Sequence, residues 1–86
     1  MATQFQENIN DIWVDIKSAL SLVEGQTYSA QNIALGTIII RESASLPPDA
    51  FGHIIDQKEY SYLTIGPENI YVRSRWGGGR LAITEC

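Results

Sequence analysis

Residues 3–25 read TQFQENINDIWVDIKSALSLVEG, and the fold expected for the chain turns on how that stretch is read. Phe5, Ile9, Ile12, Trp13, Ile16, Ala19, Leu20 and Val23 recur at steps of three and four. At about 100° per residue they share one stripe roughly 120° wide, the signature of an amphipathic helix, with Val14 and Leu22 lying off it. Thr3 and Gln6 stand at capping-box spacing, and Gly25 sits where a left-handed residue closes a helix. At 1.5 Å per residue the helix would need an apolar surface about 30 Å long to cover its stripe. The rest of the chain is expected to supply that surface as a sheet.

Working outward, residues 32–42 contain Thr37, Ile38, Ile39 and Ile40, a β-branched run that disfavours helix. Neighbouring strand positions point to opposite faces, so three consecutive isoleucines predict a central strand covered on both sides. Pro47 and Pro48 then enforce a loop. Pro48 suits a first helical position, and Phe51, Ile54 and Ile55 form an apolar face, predicting a short helix near residues 48–56. His53, the single histidine, reads as a surface residue.

The C-terminal part predicts a three-stranded meander over residues 60–65, 70–76 and 80–85. Gly66, Pro67, Glu68 and Asn69 form the first turn, pairing Ile65 with Ile70 and Leu63 with Val72. Gly78 and Gly79 as a two-residue turn would pair Trp76 with Leu81 and Ser74 with Ile83, which keeps the apolar face continuous. The architecture expected is therefore α+β: a long N-terminal helix packed on a four-stranded antiparallel sheet, one domain over residues 1–86.

Alternation along that meander places Tyr60, Tyr62, Tyr71, Arg73, Arg75 and Arg80 on the face turned away from the helix. Tyrosine and arginine combine large contact area with a polar handle, so this face is the first candidate for binding a partner. Cross-strand stacking, Tyr62 beside Arg73 and Tyr60 beside Arg75, would alternatively serve the sheet itself. A second candidate surface is the acidic ridge of Glu7, Asp11 and Asp15, four residues apart on the expected helix.

Composition narrows the function classes. The net charge is −4. Residues 1–24 carry a balance of −3 and residues 60–86 a balance of +1. An acidic chain lacks the clustered Lys and Arg on which phosphate affinity depends, which disfavours non-specific nucleic-acid binding. No apolar run reaches the 18 or so residues of a membrane span, and the first residues lack the charge and apolar block of a signal peptide. Cys86 is the single cysteine and reads as an exposed thiol that forms no internal disulfide. A cytoplasmic location is expected.

Catalytic constellations are missing from the pattern. Gly77 to Gly79 lack the strand-then-helix setting of a phosphate loop, His53 and Cys86 have no neighbouring partners, and no spacing suggests a metal or cofactor. The expected function is a small non-enzymatic protein-binding module, an inhibitor, antitoxin-like or regulatory partner that occludes a surface of another macromolecule, with homodimerisation possible. The alternative is a single-stranded nucleic-acid binder that stacks bases on the tyrosines.

Overall fold

The computed structural model describes residues 3–49, 51–75 and 78–85. Eight strands run in chain order: β1 (Thr3–Ile9), β2 (Val14–Asp15), β3 (Thr27–Asn32), β4 (Ile38–Ser43), β5 (His53–Ile55), β6 (Tyr60–Thr64), β7 (Asn69–Ser74) and β8 (Gly79–Glu85). A single helical turn, α1 (Ile16–Ala19), follows β2. The strands form two four-stranded antiparallel sheets, β1-β8-β3-β6 and β2-β7-β4-β5. This all-β architecture overturns the expected α+β arrangement of a long helix on one sheet.

Strand pairs in both sheets follow one rule. β1 lies beside β8, β2 beside β7, β3 beside β6 and β4 beside β5. That is the wiring obtained when one long antiparallel hairpin, bent between β4 and β5, is rolled across two sheets, which is the jelly-roll topology. Ile9, Tyr28, Ala30, Leu63, Leu81 and Ile83 from the first sheet meet Ile38, Ile40, Ile55, Ile70 and Val72 from the second in one apolar cluster. The thinnest dimension is 18 Å, as expected for two sheets about 10 Å apart with side chains outside them.

The stretch 3–25 is strand, loop, strand and one helical turn because its polar residues interrupt it. Asn8 takes φ 56° and Ser21 φ 53°, left-handed positions through which no helix of L-residues passes. Asn8 makes a bulge, shifting the β1–β8 register between Gln6 and Ile9. Asn10 and Asp11 favour turns by bonding local backbone, and Asp15 caps α1 by accepting the Lys17 N–H at 3.1 Å. The three-and-four spacing was coincidental: Ile9, Ile16 and Leu22 are buried, whereas Phe5, Ile12 and Val23 are exposed. Leu22 and Val14, expected off the apolar stripe, instead belong to or pack against the core. Gly25 does have a positive φ of 87°, but it follows a loop rather than a long helix, and its N–H donates to the Ile65 carbonyl.

The triple isoleucine of β4 lies buried on both faces, between β7 and β5. The expected meander does not form, although its three strands do. β6 belongs to one sheet, β7 to the other, and β8 returns to the first. Leu63 is opposite Tyr28, and Val72 is opposite Ile40 and Val14. Ser74 is opposite Ile38, and Ile83 lies between Gln4 and Ala30. The expected partnership of Trp76 with Leu81, the turn at Gly77 and the thiol of Cys86 lie outside the described residues. In place of the short helix at 48–56 the chain makes β5. Ile55 is buried there, while Phe51 and Ile54 face outward. Gly52 sits so close to β4 that an added Cβ would stand 2.6 Å from the Ile40 carbonyl oxygen.

Asn32 fastens the two sheets together. It is fully buried at the end of β3 and spends both amide N–H groups on carbonyls, Gly36 at 2.7 Å and Ile55 at 2.8 Å. Its Oδ1 accepts the Ala34 N–H at 3.0 Å. One side chain thereby holds the 33–37 loop and ties β3 of the first sheet to β5 of the second.

Candidate functional site

Strand alternation in two separate sheets divides the six Tyr and Arg residues expected on one face. Tyr60, Tyr62 and Arg80 lie on the outer face of the first sheet, in register with Gln31, Ser29 and their neighbours. Tyr60 and Tyr62 are exposed, on the outermost strand. Tyr71 and Arg73 lie on the outer face of the second sheet, on the opposite side of the sandwich, and Arg75 follows them. Tyr71 is buried between its register partners Arg41 and Asp15, and its hydroxyl accepts a bond from Asn69. The expected stacking of Tyr62 on Arg73 does not occur. The Arg73 guanidinium instead lies 5.6 Å from the centre of the Trp13 ring.

The acidic ridge is likewise dispersed, since the helix that would have aligned it does not exist. Glu7 in β1 pairs with Arg80 at 3.2 Å, Asp11 stands exposed in the following loop, and Asp15 caps α1.

A different residue, Phe51, becomes the focus of the surface. It is 77% exposed, the second most exposed large apolar side chain after Leu35 among the described residues. Two clefts flank it. One, of about 760 Å³, opens between the edge strands of the two sheets; Ile40 and Leu63 line it together with Tyr62, His53, Arg41 and Glu42. The other, of about 400 Å³, lies on the outer face of the second sheet and is lined by Ile39, Gly52, Ile54, Arg73 and Arg75. Phe51 lines both. Tyr62, Arg73 and Arg75, placed together by the sequence for another reason, thus reappear around one aromatic side chain.

Phe51 is held where it is by Asp49. The Asp49 carboxylate accepts the Phe51 N–H at 3.1 Å and pairs with the Arg41 guanidinium at 2.5 Å. Its backbone carbonyl accepts the Trp13 indole N–H at 2.8 Å. Trp13, which precedes β2, therefore reaches across the outer face of the second sheet, over Arg73, to the loop that leads into β5. Short acidic side chains bond the backbone two residues on in this way when they start a turn. The residues Pro47, Pro48 and Asp49 carry that signal in the sequence, but the spacing of Phe51, Ile54 and Ile55 is also that of a helix face.

This surface offers apolar area, guanidinium groups and backbone edges. Among the described residues no group of three or more His, Cys, Asp or Glu side chains could hold a metal ion. No helix among them is long and apolar enough to cross a membrane. No protein-family model, curated protein or solved structure matches the chain.

Proposed function

We propose that the protein is a non-catalytic protein-binding module, acting as an inhibitor or regulatory partner by covering a surface of another protein, and that Phe51 is its anchor. The observation that carries this reading is an exposed aromatic side chain between two clefts, on a backbone that Asp49 holds by a hydrogen bond. Interfaces draw most of their energy from a few large side chains that enter or border pockets, and holding such a residue in place beforehand reduces the entropy lost on binding. Asp49, with Arg41 and Trp13 behind it, does that for the Phe51 backbone. Ile54 and Tyr62 extend the contact to either side, and Arg73 supplies a cation at its margin.

The nucleic-acid alternative rested on tyrosines and arginines sharing one face. That face is divided between two sheets, Arg41 and Arg80 are paired with carboxylates, and Arg73 is stacked on Trp13. Protein is therefore the preferred partner class.

A photo-crosslinking residue at Ile54, compared with one at Thr84 on the outer face of the other sheet, tests the reading in the source cell. The expected result is a discrete protein adduct from position 54 that is absent from position 84. Phe51→Ala should weaken binding of the identified partner by about 10- to 100-fold, the cost of truncating an anchoring aromatic residue. Equal labelling from both positions, or unchanged affinity in Phe51→Ala, refutes the site.

A further inference from the structure

The two sheets have four outermost strands, β1, β6, β2 and β5. An outermost strand offers unpaired backbone groups to any other strand, and proteins guard such edges by shortness, charge, proline or bulges. β2 has two residues and β5 three. β1 is bulged at Asn8 and carries Glu7. β6, Tyr60-Ser61-Tyr62-Leu63-Thr64, has none of these guards: it is five residues long, uncharged, free of proline, in unbroken register with β3 and rich in strand-favouring side chains.

The direction of its backbone groups can be read from the hydrogen bonds at its ends. Ile65 donates its N–H to the Gln26 carbonyl and accepts from the Gly25 N–H, while the Glu59 carbonyl accepts from the Asn32 N–H. Residues 59 and 65 therefore face the β3 side, and alternation puts Ser61 and Leu63 there too. The N–H and C=O groups of Tyr60, Tyr62 and Thr64 point the other way, where no strand of the described residues lies.

We infer that this edge pairs with β6 of a second copy, antiparallel, about a two-fold axis through Tyr62. In that register Tyr62 is opposite its own counterpart, and each Tyr60 is opposite Thr64 of the other copy. All three are positions at which opposite residues exchange both N–H···O bonds, so the three outward N–H groups and three outward C=O groups of each copy are satisfied in six bonds. A two-fold interface requires such self-complementarity, and an uncharged strand meets itself without like-charge repulsion. The two copies of the first sheet become one eight-stranded sheet, with the tyrosine side chains of both strands adjacent on its outer face. This inference goes beyond the Phe51 reading and does not depend on it. Tyr62 also lines the larger cleft, so a second copy at β6 lies against that side and leaves the outer face of the second sheet to the partner.

Sedimentation equilibrium from about 1 µM to 1 mM, a range that spans weak to moderate association, tests the pairing. The expected result is a concentration-dependent dimer. Tyr62→Pro should be monomeric, because it deletes one outward N–H and blocks approach while leaving the bonds of Ser61 and Leu63 to β3 in place. Tyr62→Lys, at a side chain 71% exposed, keeps the N–H and sets two positive charges opposite each other at the axis; it should also be monomeric, with unchanged circular dichroism. In a Cys86→Ser background, Tyr62→Cys should form a disulfide-linked dimer on oxidation, its Cα about 5.5 Å from its counterpart. Tyr60→Cys should not, because four residues of strand separate it from its own counterpart by about 14 Å. A monomer throughout the concentration range, a dimer that survives Tyr62→Pro, or equal linking from positions 60 and 62 overturns the inference. Phe51→Ala should leave the dimer intact, so failure of this pairing and failure of the Phe51 site are separable.

Discussion

Asn32 and Asp49 do the same job in different surroundings. Each is a short polar residue whose side chain fixes a loop against strands, Asn32 through three side-chain hydrogen bonds and Asp49 through two, with a third to its backbone carbonyl. Asn32 is fully buried and joins the two sheets, whereas the Asp49 side chain is 41% exposed and joins a loop to one outer face. An unmade bond in the core leaves a polar group with no substitute, while one at the surface is replaced by water. A side-chain bond is therefore worth stability at Asn32 and geometry at Asp49.

The largest expected effect follows at Asn32. Asn32→Ala strands the buried Ile55 carbonyl and unpairs the part-buried Gly36 carbonyl and Ala34 N–H, and should cost about 3 kcal/mol, roughly 2 from the first and about 0.5 from each of the others. For a chain of this size that lowers Tm by roughly 12–24 °C, measurable by thermal unfolding. Asn32→Asp should be at least as damaging, because an oxygen then faces two carbonyl oxygens. A loss below about 1 kcal/mol would mean that the buried bracket is no stronger than an exposed one.

Gly52 comes next, and it sharpens the contrast because it puts a core constraint beside the surface site. A Cβ there would meet the Ile40 carbonyl oxygen at 2.6 Å and the Ile39 Cγ2 at 2.9 Å. The first of these is backbone and cannot swing aside, so Gly52→Ala should destabilise by about 2 kcal/mol, within the range for overpacking. Urea unfolding would measure it. The same substitution should also shift Phe51, the adjacent residue, and change any affinity that depends on it.

The comparison also shows what the sequence could and could not disclose. Alternation revealed the strands β6, β7 and β8, and the triple isoleucine revealed β4 as a covered central strand, because side-chain period and burial are local properties. Pairing was not legible. Alternation says which face a side chain takes but not which strand lies alongside, and in this topology β1 pairs with β8 across almost the whole chain. The N-terminal stretch misled for a related reason: Ile9, Val14 and Ile16 reach one core from a strand, a second strand and a helical turn. Asn8, Asn10 and Asp11 were the residues that contradicted a helix there. For the proposed site, residue type in the sequence singles out Tyr62, Arg73 and Arg75. It does not single out Phe51, whose exposed position follows from the turn that Asp49 starts.

Asp49→Ala isolates the surface half of the comparison. It removes an exposed ion pair and a turn bond, so the expected loss of stability is about 0.5–1 kcal/mol. Its local consequence should be larger than that figure suggests. The Phe51 amide loses its acceptor and should exchange with solvent faster, which hydrogen exchange measures residue by residue. Asp49→Asn, which keeps an acceptor oxygen for that amide while losing the charge opposite Arg41, should retain most of the protection. If Asp49→Ala leaves exchange at Phe51 unchanged, the display of the ring is not set by this residue.

The smallest effect should come from Glu7 and Arg80, which complete the series by having exposure without a bracket. Their side chains are 57% and 53% exposed, and the contact is one N···O distance of 3.2 Å between adjacent strands. Two charges in that setting gain little from each other, because water screens them and each long side chain loses freedom in meeting the other. Glu7→Gln should change the free energy of unfolding by less than about 0.5 kcal/mol, and raising the salt concentration should shrink even that difference. Parallel urea titrations of the two proteins at low and high salt would measure it. A loss near that of Asn32→Ala would mean that bond geometry on this outer face, rather than burial, sets the worth of a polar contact, and the distinction between the two brackets would fail.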